Sequence, residues 1–231
     1  MCKSLDELLK NPFDGLEKNN ASEFQEKCAE IAKFIFNNYC IQCGEKKYYF
    51  AEIEFYYYDK ERWNNKWNEK TYPRDKKDAG DFFFHYSGVD ICFNSKFDEG
   101  KFGGILIRSL KDDGHFITGP SVCMLEILNT CLEQKEIPYL VESENKECIL
   151  CNQSIARYGI TYKMDNNTYK EEKDMKDIPS LCFYDQAFFD KYTGKEKKET
   201  FENATWNYGK DKDGTIKGED KLIRYYNRFK Q

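Results

Sequence analysis

The sequence predicts a single domain of mixed α+β class. Three observations predict it: a capped amphipathic helix near the start, aromatic and β-branched runs with a glycine turn between two of them, and no repeat or linker across 231 residues. A chain this long fits one large domain or two small ones, and can remove roughly 70% of its unfolded surface from water.

Ser22-Glu23-Phe24-Gln25 reads as a capping box, and Phe24, Cys28, Ile31 and Ile35 follow at helical spacing, so a helix is expected over 23–38. Lys47 to Tyr58 reads as a strand, with Tyr49, Ala51, Ile53 and Phe55 on one face and Phe50, Glu52, Glu54 and Tyr56 on the other. Two acidic side chains among rings mark either a site or an edge strand facing water. Phe82–Tyr86 and Val89–Phe93 read as a hairpin turning at Ser87-Gly88, with glycine supplying positive φ. Gly103-Gly104 leads into an apolar strand in which Arg108 is embedded. A guanidinium there needs a carboxylate, because burying an isolated charge costs several kcal/mol. Gly119-Pro120-Ser121 opens a second helix reaching about Leu132, whose backbone donors could accept a phosphate. Ile149–Tyr162 is expected to be a strand, 163–178 and 190–220 polar loops, and Lys221–Phe229 a closing strand or short helix.

The chain carries 18 Phe, 17 Tyr and 3 Trp, which places it among globular proteins. The rings serve ordinary core and sheet packing, or some line a pocket for a planar ligand or nucleobase. A net charge of -5 excludes a protein that coats nucleic acid nonspecifically. Residues 60–77 nevertheless concentrate seven Lys and Arg against three carboxylates, as a phosphate track or a solvated loop would. With no apolar leader and no long apolar run, an intracellular protein without a membrane span is expected. The ten cysteines are then mostly reduced and several of them buried. Cys40 and Cys43 with Cys148 and Cys151 form two C-x-x-C units, enough for a four-thiolate zinc site, although strand spacing turns i and i+3 to opposite faces. Two histidines, His85 and His115, give little support for a histidine-rich metal site or a Ser-His-Asp triad.

Glu52-Ile53-Glu54-Phe55-Tyr56, Thr71-Tyr72-Pro73-Arg74, Phe82 through Asn94, Ile105 through Leu110, and Thr118-Gly119-Pro120 follow one another along the chain. That order of features resembles the alkyladenine (3-methyladenine) DNA glycosylase family. Weaker echoes are Ala156-Arg157-Tyr158-Gly159-Ile160 and Arg224-Tyr225-Tyr226. The resemblance implies one glycosylase-like domain over 1–231, helical over 1–45 and sheet-containing over 47–231, with a curled, mainly antiparallel sheet and flanking helices. It implies a monomer that needs no metal or cofactor and hydrolyses the N-glycosidic bond of alkylated or deaminated purines in duplex DNA, in base excision repair.

On that resemblance the target nucleotide leaves the stack, Glu54 acts as general base on the attacking water, and Arg108 keeps Glu54 ionised and oriented. Tyr56 and Phe84 sandwich the flipped base and Asn94 reads its exocyclic group. Tyr86, Ser87 and Gly88 form the hairpin tip that wedges into the minor groove, while Thr71, Arg74 and Gly119 contact DNA. Two positions depart from the family. Ser87 stands where the family has its intercalating tyrosine, with Tyr86 one residue early, and the base-contacting histidine falls near Asn64, beside Trp63 and Trp67. Two other readings stay open: a catalytically silent nucleic-acid or protein binding module of the same fold, and a cysteine-rich metal-binding interaction protein.

Overall fold

A computed structural model describes residues 4–17, 20–59, 77–94, 100–143, 150–157, 161–165, 168–172 and 180–192, which lie in one compact unit spanning Met1–Gly194. For 152–157, 161–165, 168–172 and Ser180 only the backbone is described.

The chain opens with a short helix, α1 (Leu5–Lys10), under a capping box that the sequence reading passed over. The Glu7 N–H donates to Ser4 Oγ at 3.2 Å, and Ser4 N–H donates to Glu7 Oε2 at 3.1 Å. The next helix, α2 (Ala21–Asn38), begins two residues before the predicted start. Its cap is Asn20, whose side chain accepts from Glu23 N–H at 3.2 Å. Ser22 lies inside the first turn and donates to Glu26 at 3.3 Å, so its apparent capping box does not form. Phe24, Cys28, Ile31, Ala32, Ile35 and Phe36 are buried along one stripe of α2.

A strand missing from the sequence reading, β1 (Tyr39–Cys43), follows α2 directly, so residues 1–45 are not wholly helical. Then come β2 (Lys46–Asp59), β3 (Phe82–His85), β4 (Gly88–Cys92), β5 (Lys101–Asp112) and β6 (His115–Thr118). After α3 (Pro120–Gln134) lie β7 (Tyr139–Glu142), β8 (Leu150–Arg157), β9 (Thr161–Asp165), β10 (Thr168–Glu172), β11 (Ser180–Asp185) and α4 (Gln186–Tyr192). Residues 163–178 were expected to be loop, yet β9 and β10 pair antiparallel in a separate two-stranded sheet. Their polar composition offers no apolar alternation from which a strand pair could be read. The expected closing element at Lys221–Phe229, most of the 190–220 segment and the echo at Arg224-Tyr225-Tyr226 lie outside the described residues.

Nine strands form one curled antiparallel half-barrel sheet: six follow the order β3-β4-β5-β2-β1-β7, while β6 pairs with β5, β11 with β2, and β8 with β11. The long β2 organises it. β5 runs along one edge of β2, while β1 takes the other edge at Lys46–Tyr48 and β11 takes it at Glu52–Phe55. Between Phe50 and Ile53 the β2–β5 register steps past Ala51 and then past Arg108. Such an irregularity resets the two-residue alternation. Tyr48 and Phe50 before it, and Ile53 and Phe55 after it, consequently all join the main core, so the unbroken alternation expected from the sequence does not hold. Ala51 instead belongs to a second cluster with Cys151, Cys182, Tyr184 and Phe188.

Candidate functional site

Beyond the register step, Ile53 and Phe55 face the main core, which turns Glu52, Glu54 and Tyr56 to the opposite face of the sheet. Leu106, Cys182, Tyr184 and Asp90 share that face by register, since Glu54 stands opposite Leu106 and Cys182, Glu52 opposite Tyr184, and Asp90 opposite Leu106.

Arg108 joins the two carboxylates. Its Nε donates to Glu52 Oε1 at 3.0 Å and its Nη1 to Glu54 Oε2 at 2.6 Å. The Ser109 hydroxyl donates to Glu52 Oε2 at 3.1 Å, so both oxygens of Glu52 are engaged. The side chains of Glu52, Glu54 and Arg108 are only 7%, 3% and 10% exposed. Two carboxylates and one guanidinium leave a formal excess of one negative charge in a setting that strengthens every pairing within it.

The neighbouring groups respond accordingly. Burial lifts the Tyr56 phenol well above its ordinary range, the Glu54 charge lifts it further, and Arg108 opposes both. Tyr56 therefore stays a neutral donor. Burial works against the Arg108 charge, but Glu54 and then Glu52 outweigh it and hold the guanidinium firmly protonated. Burial also raises the Cys123 thiol, which lies within reach of the Glu52 charge.

The hairpin is arranged differently from the sequence reading. Its connection is Tyr86-Ser87, with His85 paired to Gly88, so the turn sits one residue earlier than expected. Tyr86 is 83% exposed at the tip. Gly88, at φ 156°, lies where a Cβ would stand 2.9 Å from both Leu106 Cδ1 and Pro120 Cβ. The Ser121 hydroxyl donates to the Ser87 carbonyl at 3.4 Å, and Gly119 N–H donates to the Arg108 carbonyl at 2.8 Å. The start of α3 is thus joined both to the hairpin tip and to the backbone of the strand bearing Arg108. Gly119, at φ 104°, caps α3 through its backbone alone, with Pro120 at the first helical position.

Phe84 is not on the face that carries Glu54. It stands opposite Val89, packs against the main core and lies 6.4 Å from the Phe82 ring centre. The odd-numbered neighbours take the other face: Phe83 stands opposite Asp90 and stacks on His85 at 5.8 Å, and His85 Nε2 lies 3.4 Å from Asp90 Oδ2. Asn94 follows the end of β4, where its N–H donates to the Leu9 carbonyl at 3.2 Å, near Gly103 rather than Arg108. Thr71, Arg74, Asn64, Trp63, Trp67 and the basic run as far as Lys76 lie outside the described residues.

The structure thus brings together Glu54, Arg108 and Tyr56, and separately Tyr86, Ser87, Gly88 and Gly119. Glu52, Ser109 and the Phe83-His85-Asp90 set are additions to the sequence reading. Alternation already put Glu52 on the face of Glu54, but nothing in the chain announces which oxygen meets which guanidinium nitrogen.

The C-x-x-C units part company. Cys43 lies against Cys131, Cys151 packs with Cys182 and Tyr184, and Cys148 lies outside the described residues. Among the described residues no group of three or more His, Cys, Asp or Glu could hold a metal ion, and no helix is long and apolar enough to cross a membrane. No protein-family model, curated protein or solved structure matches the chain.

Proposed function

We propose that this protein is a monofunctional DNA glycosylase that flips a damaged purine out of duplex DNA and hydrolyses its N-glycosidic bond. The observation that carries the reading is the 2.6 Å contact between Arg108 Nη1 and Glu54 Oε2, on one sheet face with Tyr56. Glycoside cleavage passes through an oxocarbenium-like sugar, which an ionised carboxylate stabilises while it takes a proton from the attacking water. Arg108 keeps Glu54 ionised, and Glu52, fixed by Arg108 Nε and Ser109, holds the guanidinium in place. Tyr56, a neutral phenol, offers a ring to the extruded base. An alkylated purine is electron-poor and already a good leaving group, so one activated carboxylate suffices. Duplex contact falls to the exposed Tyr86 at the hairpin tip and to the start of α3, whose N–H groups suit a phosphate.

One observation favours a second reading. Glu54 is 3% exposed and closely paired, as a carboxylate that only stabilises the fold would be. A catalytically silent module of the same fold would bind nucleic acid or protein through the hairpin without releasing a base.

The test is a gel assay for alkali-labile sites on duplexes carrying methylated adenine, hypoxanthine or ethenoadenine. Release by the parent chain and loss of release in Glu54→Gln supports the enzyme. Binding without release by the parent chain supports the silent module, and equal release by parent and variant sinks the proposed role of Glu54.

A further inference from the structure

Away from the Glu54 site, the turn between β1 and β2 packs on the last turn of α3. Cys43 ends β1 and Cys131 lies near the end of α3, and their sulfurs stand 2.9 Å apart although 88 residues separate them in sequence. The contact is tightly framed. A Cβ on Gly44, at φ 60°, would fall 2.8 Å from the Gln134 side chain, and Cys43 Sγ also reaches the Glu136 carbonyl at 3.6 Å. Of the described cysteines, Cys28, Cys40, Cys43, Cys92, Cys123, Cys151 and Cys182 are buried, and Cys131 is the one with solvent access. The geometry therefore sets a half-buried cysteine directly against a buried one.

We propose that Cys43 and Cys131 form a reversible redox pair that a peroxide closes to a disulfide and a dithiol reopens. The peroxide O–O bond breaks as the Cys131 sulfur takes one oxygen, giving a sulfenic acid and one water. The Cys43 sulfur then displaces that oxygen, forming the S–S bond and releasing a second water. Two thiols and one peroxide thus yield one disulfide and two waters, and a dithiol returns the two electrons. A disulfide is about 2.05 Å long, so the sulfurs need to approach by less than about 1 Å. Burial and contact with Cys43 push the Cys131 thiol up to about 12, so the thiolate is scarce near neutral pH and closure is slow there and faster in alkali. Once closed, the bond staples the β1–β2 turn to the end of the helix whose other end contacts Arg108 and the hairpin.

The test treats the folded full-length chain with hydrogen peroxide, digests it without reductant and maps the peptides by mass. The expected product is a linked pair of peptides containing Cys43 and Cys131, lighter by two hydrogens, which dithiothreitol separates. The oxidised chain should also show a Tm above that of the reduced chain. Cys131→Ser, a small change at a half-buried helix position, should abolish both the link and the Tm rise. Oxidation of Cys131 without a bond to Cys43, a Cys131 bond between two copies of the chain, or the same Tm rise in Cys131→Ser would overturn the proposal.

Discussion

Arg108 Nη1 meets Glu54 Oε2 at 2.6 Å although the two residues are not opposite each other in the ladder, where Glu54 faces Leu106. The guanidinium reaches this carboxylate diagonally across β2 and β5, at the point where the register steps past Arg108, while its Nε holds Glu52. One cation therefore serves two nearly buried anions.

The first expectation concerns what removal of that cation costs. Arg108→Leu leaves two carboxylates unpaired in a buried site, and breaking a buried pair from one side typically costs about 3–5 kcal/mol. Urea unfolding should show that loss in the midpoint. Adding Glu52→Gln and Glu54→Gln to the same chain should recover a substantial part of it, because amides carry no charge to strand. A single Arg108→Leu substitution without effect on the midpoint would mean that water reaches the carboxylates freely.

Glu52 and Glu54 should separate in their effects. Glu54→Gln leaves Arg108 balanced by Glu52, so folding should persist, and the proposed base release should fall by about 10²–10⁴, the usual range for a general base. Glu52 has both oxygens engaged by Arg108 and Ser109, so Glu52→Gln should act mainly on stability and on how Arg108 is held. Comparing single-turnover release with the denaturation midpoint for both variants checks the division. A larger loss of release in Glu52→Gln than in Glu54→Gln would reverse the roles.

At the hairpin, Gly88→Ala should destabilise the chain by about 1–3 kcal/mol, the range for overpacking and backbone strain. The new Cβ would stand 2.9 Å from Leu106 and Pro120 at a φ that favours glycine. Tyr86→Ala, at an 83% exposed position, should change stability by less than about 0.5 kcal/mol yet weaken duplex binding if the tip is the wedge. Thermal unfolding together with fluorescence-anisotropy titration of a labelled duplex reads both. Unaltered duplex affinity in Tyr86→Ala would remove the hairpin tip from the proposed DNA surface.

What was legible in the sequence was whatever depends on local pattern. The stripe Phe24, Cys28, Ile31 and Ile35 lies buried on α2 as its spacing required, and Arg108 found the carboxylate that its apolar setting demanded. The failures came where one residue decides the outcome. Asn20 took the cap from Ser22 because a cap is selected by where the chain enters the helix, not by composition alone. The step past Ala51 sent Phe50 to the same core as Ile53, an event with no signature in the string of residues. Pairing Phe84 with Val89 put its ring into the core and left Phe83 facing the side of Glu54, and a register of this kind is fixed only when the strands meet.

The last expectation is alkaline destabilisation. Burial raises the Tyr56 phenol well above its ordinary value and the Glu54 charge adds to this; burial likewise raises Tyr48, Cys28 and Cys123. Burial alone would lower Lys46, but its hydrogen bonds to Glu126 and Asp112 prevail and raise it. In every case the folded chain holds its proton more tightly than the unfolded chain does. The resulting stability is complete below the unfolded pKa and is lost as pH climbs toward the folded one, because the unfolded state then binds fewer protons. The window opens at about pH 8.5 for the thiols and about pH 10 for the phenols and the ammonium. Urea midpoints measured from about pH 7 to about pH 11 should therefore fall steadily across the upper half of that range. Cys28→Ala should make the thiol part of that fall shallower, since its buried thiol no longer contributes a proton to the unfolding equilibrium. A midpoint that held level or rose with alkali would mean that these groups are hydrated in the folded chain, and the half-buried, neutral Tyr56 beside Glu54 would have to be given up with them.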